Sequence, residues 1–310
     1  MKYKKFVSAV AYVHDAECSI EHFLKTCYRV LDDNFENYEI ICVNDSSTDN
    51  SKQIIRKFAS TVSRGIISIV NTGFYQGVEA SIQAGIDLAI GDFIFEFDDI
   101  AIDYHPNLIM QCYDRCIQGV DIVSCGTREG SRVSSQVFYS IYNYFSDTQY
   151  PLKSETFRVV SRRAINRIYS MSPNPIYRKA LYKNCGLRTD YFVYKKDTYA
   201  PSPGKRNHIL KNPHDTAITS LVLFTNVAYN AAFVLTIIMM LGTLGSAAYV
   251  MIVYLLGIAA PGYTTMMVLI AGSFFALFAV MTVVIKYLSL ILRFAFQHQR
   301  YVVESIEKLT

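Results

Sequence analysis

Three acidic side chains stand where buried strands should end. Asp45 follows the apolar run 38–43, and Asp98 and Asp99 follow the run 92–97. Carboxylates so placed can hold a divalent cation, and the cation can hold a diphosphate. Asp45 is positioned to accept hydrogen bonds from a base or a ribose. Gly73 and Gly77 let the backbone approach a ligand closely. Arg128 and Arg132 can meet phosphate oxygens with forked hydrogen bonds. One metal-dependent and one arginine-based phosphate site in a single crevice imply two phosphorylated substrates.

The elements that must carry these residues alternate. Segments 6–13, 38–43, 65–70, 92–97 and 120–125 read as strands. Segments 20–31, 51–58, 77–89 and 108–117 have apolar residues at helical spacing, as at Ile20, Phe23, Leu24, Cys27 and Leu31. Strand–helix alternation predicts a parallel sheet with its ligand crevice at the carboxyl ends of the strands. Beyond it, 132–145 and 157–171 read as amphipathic helices, and a proline-punctuated stretch leads to His214.

From Thr216 to Ile285 the chain has no Asp, Glu, Lys or Arg. Such a run can cross a bilayer twice, since each crossing takes about 20 apolar residues. Segment 215–230 reads as a juxtamembrane helix, 231–256 and 264–290 as the two spans, and 291–310 as a tail. Lys286, Arg293 and Arg300 follow the second span while the connecting hairpin is uncharged, so both flanks and the catalytic part are expected on the cytoplasmic side of the inner (plasma) membrane. No ionisable residue lies mid-span, which argues against an ion path and for an anchor or a homo-oligomer surface. The formal charge of +4 on 310 residues is too small to imply a nucleic-acid partner. The seven cysteines form no CxxC pair, which excludes the usual zinc spacings.

The chain resembles the family 2 glycosyltransferases, in particular the polyprenyl-phosphate glycosyltransferase and dolichyl-phosphate mannose synthase branch with two C-terminal spans. Seven stretches carry the resemblance: Ala11-Tyr12-Val13-His14-Asp15-Ala16-Glu17, Val43-Asn44-Asp45-Ser46-Ser47-Thr48-Asp49, Asn71-Thr72-Gly73 with Gln76-Gly77, Gly91-Asp92-Phe93-Ile94 leading to Asp98-Asp99, Gly126-Thr127-Arg128, Glu155-Thr156-Phe157-Arg158-Val159-Val160-Ser161-Arg162, and the tail Gln299-Arg300-Tyr301-Val302-Val303, which is similar to that of the membrane-anchored members. It implies a GT-A fold (a Rossmann-like, mostly parallel sheet) that binds a nucleoside-diphosphate sugar, UDP before GDP. By the same resemblance, Tyr12, Val13, Glu17, Asp45 and Gly77 line the nucleotide pocket, and Asp98 holds Mg2+ or Mn2+ on the diphosphate. Arg128, Arg132 and Arg158 receive the phosphate of a polyprenyl phosphate acceptor.

Two departures from the family pattern leave alternatives open. Ile100 stands where a second metal-ligand Asp is expected, so Asp99 or Asp103 would replace it. Thr156 stands where relatives carry an acidic residue, next to Glu155. A hydroxyl acceptor, as on a lipid-diphosphate-linked glycan, would need Glu155 as its base. A catalytically weak membrane scaffold is the third reading.

Overall fold

The computed structural model describes residues 2–127, 139–140, 143–144, 150–171, 177–196, 227–257, 262–295 and 301–310. The expected helix 132–145 therefore lies mostly outside the described residues.

Five parallel-type strands form where the apolar runs predict them: β1 (Val7–Val13), β2 (Tyr38–Asn44), β3 (Ile66–Thr72), β4 (Phe93–Phe97) and β5 (Ile122–Gly126). Every residue of β1 and β2 is buried, as strands covered on both faces must be. Helices α1 (Ile20–Asn34), α2 (Ser51–Ala59), α3 (Val78–Leu88) and α4 (Asn107–Ile117) alternate with them. Phe23, Leu24, Cys27 and Leu31 of α1 join Ile109, Cys112 and Tyr113 of α4 in one core cluster with Val7, Ala9, Ala11 and Val13 of β1. Helix α3 packs close to β1 and β2, because Gly85 leaves no Cβ there. A Cβ at that position would fall 2.4 Å from Val10 Cγ1.

The sheet is mixed rather than wholly parallel. Segment 157–171 is not one helix. Phe157–Ser161 forms strand β6, and only Arg162–Met171 forms helix α5. Strand β6 runs antiparallel between β4 and β5. Two β-branched valines and two neighbours needing hydrogen-bond partners outweigh the helical spacing that continues into α5. Two short elements follow, helix α6 (Arg178–Asn184) and strand β7 (Thr189–Val193).

Helices α7 (Val227–Leu255) and α8 (Tyr263–Ala295) come next. Within them, Phe233–Leu255 and Tyr263–Leu288 are long and apolar enough to cross a membrane. The chain then returns as β8 (Val303–Lys308), antiparallel to β3. The strand order is β7-β5-β6-β4-β1-β2-β3-β8. Residues Met1–Thr216 with Gln297–Thr310 make one compact unit, and Ala217–Phe296 makes the other.

Candidate active site

The parallel strands β2, β1 and β4 are adjacent, in that order, and end on the same side of the sheet. Asp45 is the first residue past β2 and Asp98 the first past β4. The two acids thus flank the end of β1, two strand spacings or about 10 Å apart across the sheet. The loops leaving β1 and β2 are tied together. Thr48 N donates to Asp15 Oδ1 at 2.7 Å, Glu17 N donates to Asp49 Oδ2 at 2.8 Å, and Asn50 N donates to Glu17 Oε2 at 3.2 Å.

Asp45 has no exposed surface, and both of its oxygens are in use. Oδ1 accepts from Thr72 Oγ1 and from the Gln76 amide, each at 2.9 Å. Oδ2 accepts from the Gly77 amide at 2.8 Å and from Tyr12 Oη at 3.0 Å. Gly77 lies at φ 84 and ψ 170, a region open in practice only to glycine. That geometry aims its amide at Asp45 as α3 begins. Asp45 therefore shapes the 72–77 loop rather than presenting a free carboxylate. Tyr12 and Val13 are likewise buried, at 3% and 0% exposure, so side-chain contact from either to a ligand would require movement. Burial, with the neighbouring Asp45 charge, drives the Tyr12 phenol far above its ordinary pKa and keeps it a donor.

Around Asp98 lies a buried ionic cluster. Arg158 of β6 reaches Glu96 at 2.8 Å, Asp98 at 2.5 Å and Glu155 at 3.1 Å. Arg178 of α6 reaches Glu96 at 2.6 Å, Asp98 at 2.9 Å and Glu79 at 2.9 Å. Lys179 lies 3.5 Å from Asp98, and Lys183 lies 3.2 Å from Glu155. Tyr182 Oη also donates to Glu96. Carboxylates Glu79, Glu96, Asp98 and Glu155 thus balance cations Arg158, Arg178, Lys179 and Lys183. Arg158 and Glu96 face each other directly in the β4–β6 register, which brings opposite charges together across the two strands.

Burial would raise the Asp98 and Glu155 pKa values, but their cationic neighbours win. Arg158 and Arg178, with Lys179, hold the Asp98 carboxyl below its ordinary range. Arg158 and Lys183 do the same for Glu155. Glu96 has no exposed surface, and burial pushes its pKa up against the pull of Arg178 and Arg158.

The structure thus gathers Asp98, Glu155 and Arg158 into one cluster and places Asp45, Tyr12 and Gly77 in another. Arg158 is 0% exposed and turned inward onto carboxylates, so it meets an acceptor phosphate only if those partners let go. Glu155 is equally enclosed and ion-paired, the opposite of a base with a raised pKa. Asp99 accepts from the Ala101 amide at 2.9 Å. Asp103 accepts from Tyr194 Oη at 2.8 Å and pairs with Lys196 at 3.2 Å. Glu17 braces the 49–50 loop from an exposed position. Arg128 and Arg132 lie outside the described residues. The sequence reading missed Glu79, Glu96, Arg178, Lys179, Tyr182 and Lys183. Glu96 was the available signal, since a carboxylate inside Phe93-Ile94-Phe95-Glu96-Phe97 demands a buried partner.

Among the described residues no three His, Cys, Asp or Glu side chains converge as a ready-made metal cage. Asp98 and Asp99 are adjacent hard oxygen donors, but Arg178 holds Asp98 Oδ1 and Arg158 holds Asp98 Oδ2, so a cation would bind there only as those contacts open. That set fits an ion of the magnesium type, which commonly takes one or two carboxylates and completes its shell with substrate phosphates and water.

A family model described as glycosyl transferase family 2 matches residues 10–186, from β1 through α6, and so takes in both clusters. The chain belongs to glycosyltransferase family 2. It is a glycosyltransferase, and its relatives include an uncharacterised glycosyltransferase of Synechocystis sp., 27% identical over 85% of this chain and 84% of that protein. The prophage bactoprenol glucosyl transferase homologue of Escherichia coli K12 is 27% identical over 61% of this chain and 62% of its own length. The undecaprenyl-phosphate 4-deoxy-4-formamido-L-arabinose transferase of Aeromonas hydrophila is 30% identical over 42% of this chain and 39% of its own length. These last two matches span less than two thirds of the relatives concerned. A solved mycobacterial protein shares the fold, with a TM-score of 0.50 at 16% identity over 72% of this chain and 75% of that one. The GT-A fold, with its mostly parallel sheet and two apolar C-terminal helices, is the fold this family 2 chain adopts.

Proposed function

We propose that this family 2 enzyme is anchored in the inner membrane and transfers a sugar from a UDP-sugar to polyprenyl phosphate, with inversion at the anomeric carbon. The observation that carries the reading is the placing of Asp45, first past β2, and Asp98, first past β4, on the same side of the sheet, in a chain that also carries two helices long and apolar enough to cross a membrane. The relatives described as acting on bactoprenol and undecaprenyl phosphate support the acceptor class. In the reaction an acceptor phosphate oxygen attacks the anomeric carbon while the bond to the donor diphosphate breaks. The nucleoside diphosphate then leaves with the bonding electrons. A phosphate is already anionic at neutral pH, so no general base is required. The enclosed, ion-paired state of Glu155 favours this over transfer to a sugar hydroxyl.

Asp98 and Asp99 would hold Mg2+ or Mn2+, which when bound neutralises charge on the departing diphosphate. Asp45 and Gly77 would shape the nucleoside pocket through the 72–77 loop. Arg128 and Arg132 remain the proposed acceptor-phosphate contacts, with Arg158 positioning Asp98 from behind. Residues before α7 and after α8 both belong to the sheet-bearing unit, which supports an even number of crossings and a catalytic unit on one side of the bilayer, the cytoplasmic side by the charge rule.

The test uses purified full-length protein with undecaprenyl phosphate and a panel of UDP- and GDP-sugars. Nucleotide release is expected only when donor and lipid are both present, and fastest with a UDP-sugar. A folded sample that releases no nucleotide with any donor overturns the proposal.

A further inference from the structure

The returning tail does more than close a sheet edge. Before β8 begins, Val302 pairs with the side chain of Gln76 as a strand would pair with a neighbour. Gln76 Nε2 donates to Val302 O at 2.6 Å, and Val302 N donates to Gln76 Oε1 at 2.7 Å. The Gly73 amide also donates to Val302 O, at 3.3 Å. Val303 then lies opposite Thr72, whose hydroxyl donates to Asp45. The Gln76 amide, on the same residue that grips the tail, donates to the same Asp45 oxygen.

The loop carrying Gln76 is thus held from two sides, by Asp45 within and by the tail without. The tail is itself pinned. Glu307 pairs with Lys52 at 2.9 Å and Arg56 at 2.8 Å on α2, and accepts from Asn71 Nδ2 at 2.9 Å. Thr310 Oγ1 accepts from the Ile67 amide at 2.7 Å. Sheet closure alone needs the β3–β8 ladder but not a side chain reaching past its end to the loop.

We propose that residues 301–310 are a positioning element of the donor site, acting through Gln76 to hold the 72–77 loop in the shape that receives the nucleoside diphosphate. This rests on the reading of the Asp45 loop as part of the nucleotide pocket. The loop's geometry, with Gly77 in a glycine-only conformation, is one that an unbraced segment would leave, since ordering it costs conformational entropy. A brace that prepays that cost raises affinity for the ligand without touching it.

The experiment uses full-length protein in lipid nanodiscs. Gln76→Ala removes the loop's side of the pair, and Val302→Pro removes the donated N–H from the tail's side. Each should raise the UDP dissociation constant, and the KM for the donor, about fivefold, the value expected for losing one or two exposed hydrogen bonds. The kcat and the acceptor KM should stay within about twofold of wild type, a split that a general loss of stability would not give. Amide exchange at Gly77 should speed up in both variants without ligand. Wild-type protein that binds UDP, with both variants binding it equally well, overturns the bracing alone. A wild-type chain that binds no nucleotide overturns the pocket assignment and the bracing together. Variants with lowered thermal stability but unchanged donor KM also overturn the bracing, by reducing the contact to sheet closure.

Discussion

Arg178 Nη2 lies 2.9 Å from Asp98 Oδ1 across a sequence separation of 80 residues. The same guanidinium closes on Glu96 and Glu79. One side chain on a short helix therefore joins the first acid past β4, a carboxylate inside β4, and the first turn of α3. Because α3 follows directly on Gly77, whose amide donates to Asp45, Arg178 connects the two clusters of the crevice through the first turn of a single helix.

Removing Arg178 should be costly. It is 1% exposed, and its loss would leave three carboxylates short of a partner in a dry setting. Breaking a buried pair of this kind costs about 3–5 kcal/mol. For a unit of this size that corresponds to a fall of roughly 10 °C in Tm for Arg178→Met. Lys25→Ala, which breaks the exposed Lys25–Glu21 pair, should change Tm by less than about 2 °C. Scanning calorimetry or fluorescence unfolding of both variants checks the contrast, and equal shifts would contradict it.

Glu155 supplies a pH-dependent counterpart. Its folded-state pKa lies below its ordinary value of 4.5, because Arg158 and Lys183 outweigh burial. Its contribution to stability is therefore complete above that ordinary value and disappears as pH falls through the folded one. The Tm difference between wild type and Glu155→Gln should be largest near pH 7 and shrink below about pH 4.5. Glu96 shifts the opposite way, raised by burial, and it is present in both proteins, so its own titration largely drops out of the difference. Sugar transfer to polyprenyl phosphate should fall through misplacement of Arg158 but not vanish. Total loss of activity with unchanged Tm would point instead to a base.

Much of the sheet was legible because strands buried on both faces must be nearly continuous apolar runs, as in Val7–Val13 and Tyr38–Asn44. Strand β6 was hidden because its strand state comes from β4 and β5 on either side, which no local window contains. Helix α6 and strand β7 lie in a stretch whose prolines mask periodicity. Strand β8 does alternate, with Val303, Ser305 and Glu307 less exposed than Glu304, Ile306 and Lys308, but it has no core of its own and follows a long apolar helix. Sequence position found Asp45 and Asp98 as strand-end acids. It could not reveal that Asp45 is saturated by its own loop, since Gln76 and Gly77 contribute backbone amides that carry no side-chain signature.

That saturation makes Asp45→Asn informative. An amide has one acceptor oxygen, while Asp45 faces a backbone N–H on each side. Either orientation of the asparagine leaves the Gln76 or the Gly77 amide facing an NH2 group. The cost is about 1–3 kcal/mol. Gly77→Ala should cost a similar amount, about 1–3 kcal/mol, through its forbidden backbone conformation. Both variants should lower Tm by several degrees and weaken UDP binding, as measured by thermal shift and calorimetry. A variant with native UDP affinity would place the nucleoside away from this loop.

The charge balance around Asp98 sets an order for cation and nucleotide. The four carboxylates there are already matched by two guanidinium and two ammonium groups. A divalent ion arriving alone would add net positive charge beside Arg158 and Arg178, whereas one arriving with a diphosphate would not. Mn2+ should therefore bind weakly to the protein alone and at least about tenfold more tightly with UDP present, a typical coupling between linked sites. By reciprocity, Mn2+ should tighten UDP binding by the same factor. Asp99→Asn should remove most of that coupling with little loss of Tm, while Asp98→Asn should remove it and also destabilise the fold by leaving Arg158 and Arg178 partly unpaired. Calorimetric titrations of Mn2+ with and without UDP measure the factor. Tight Mn2+ binding in the absence of nucleotide would mean that the protein alone builds the cation site, against the reading of Asp98 and Asp99 as partial ligands completed by the donor.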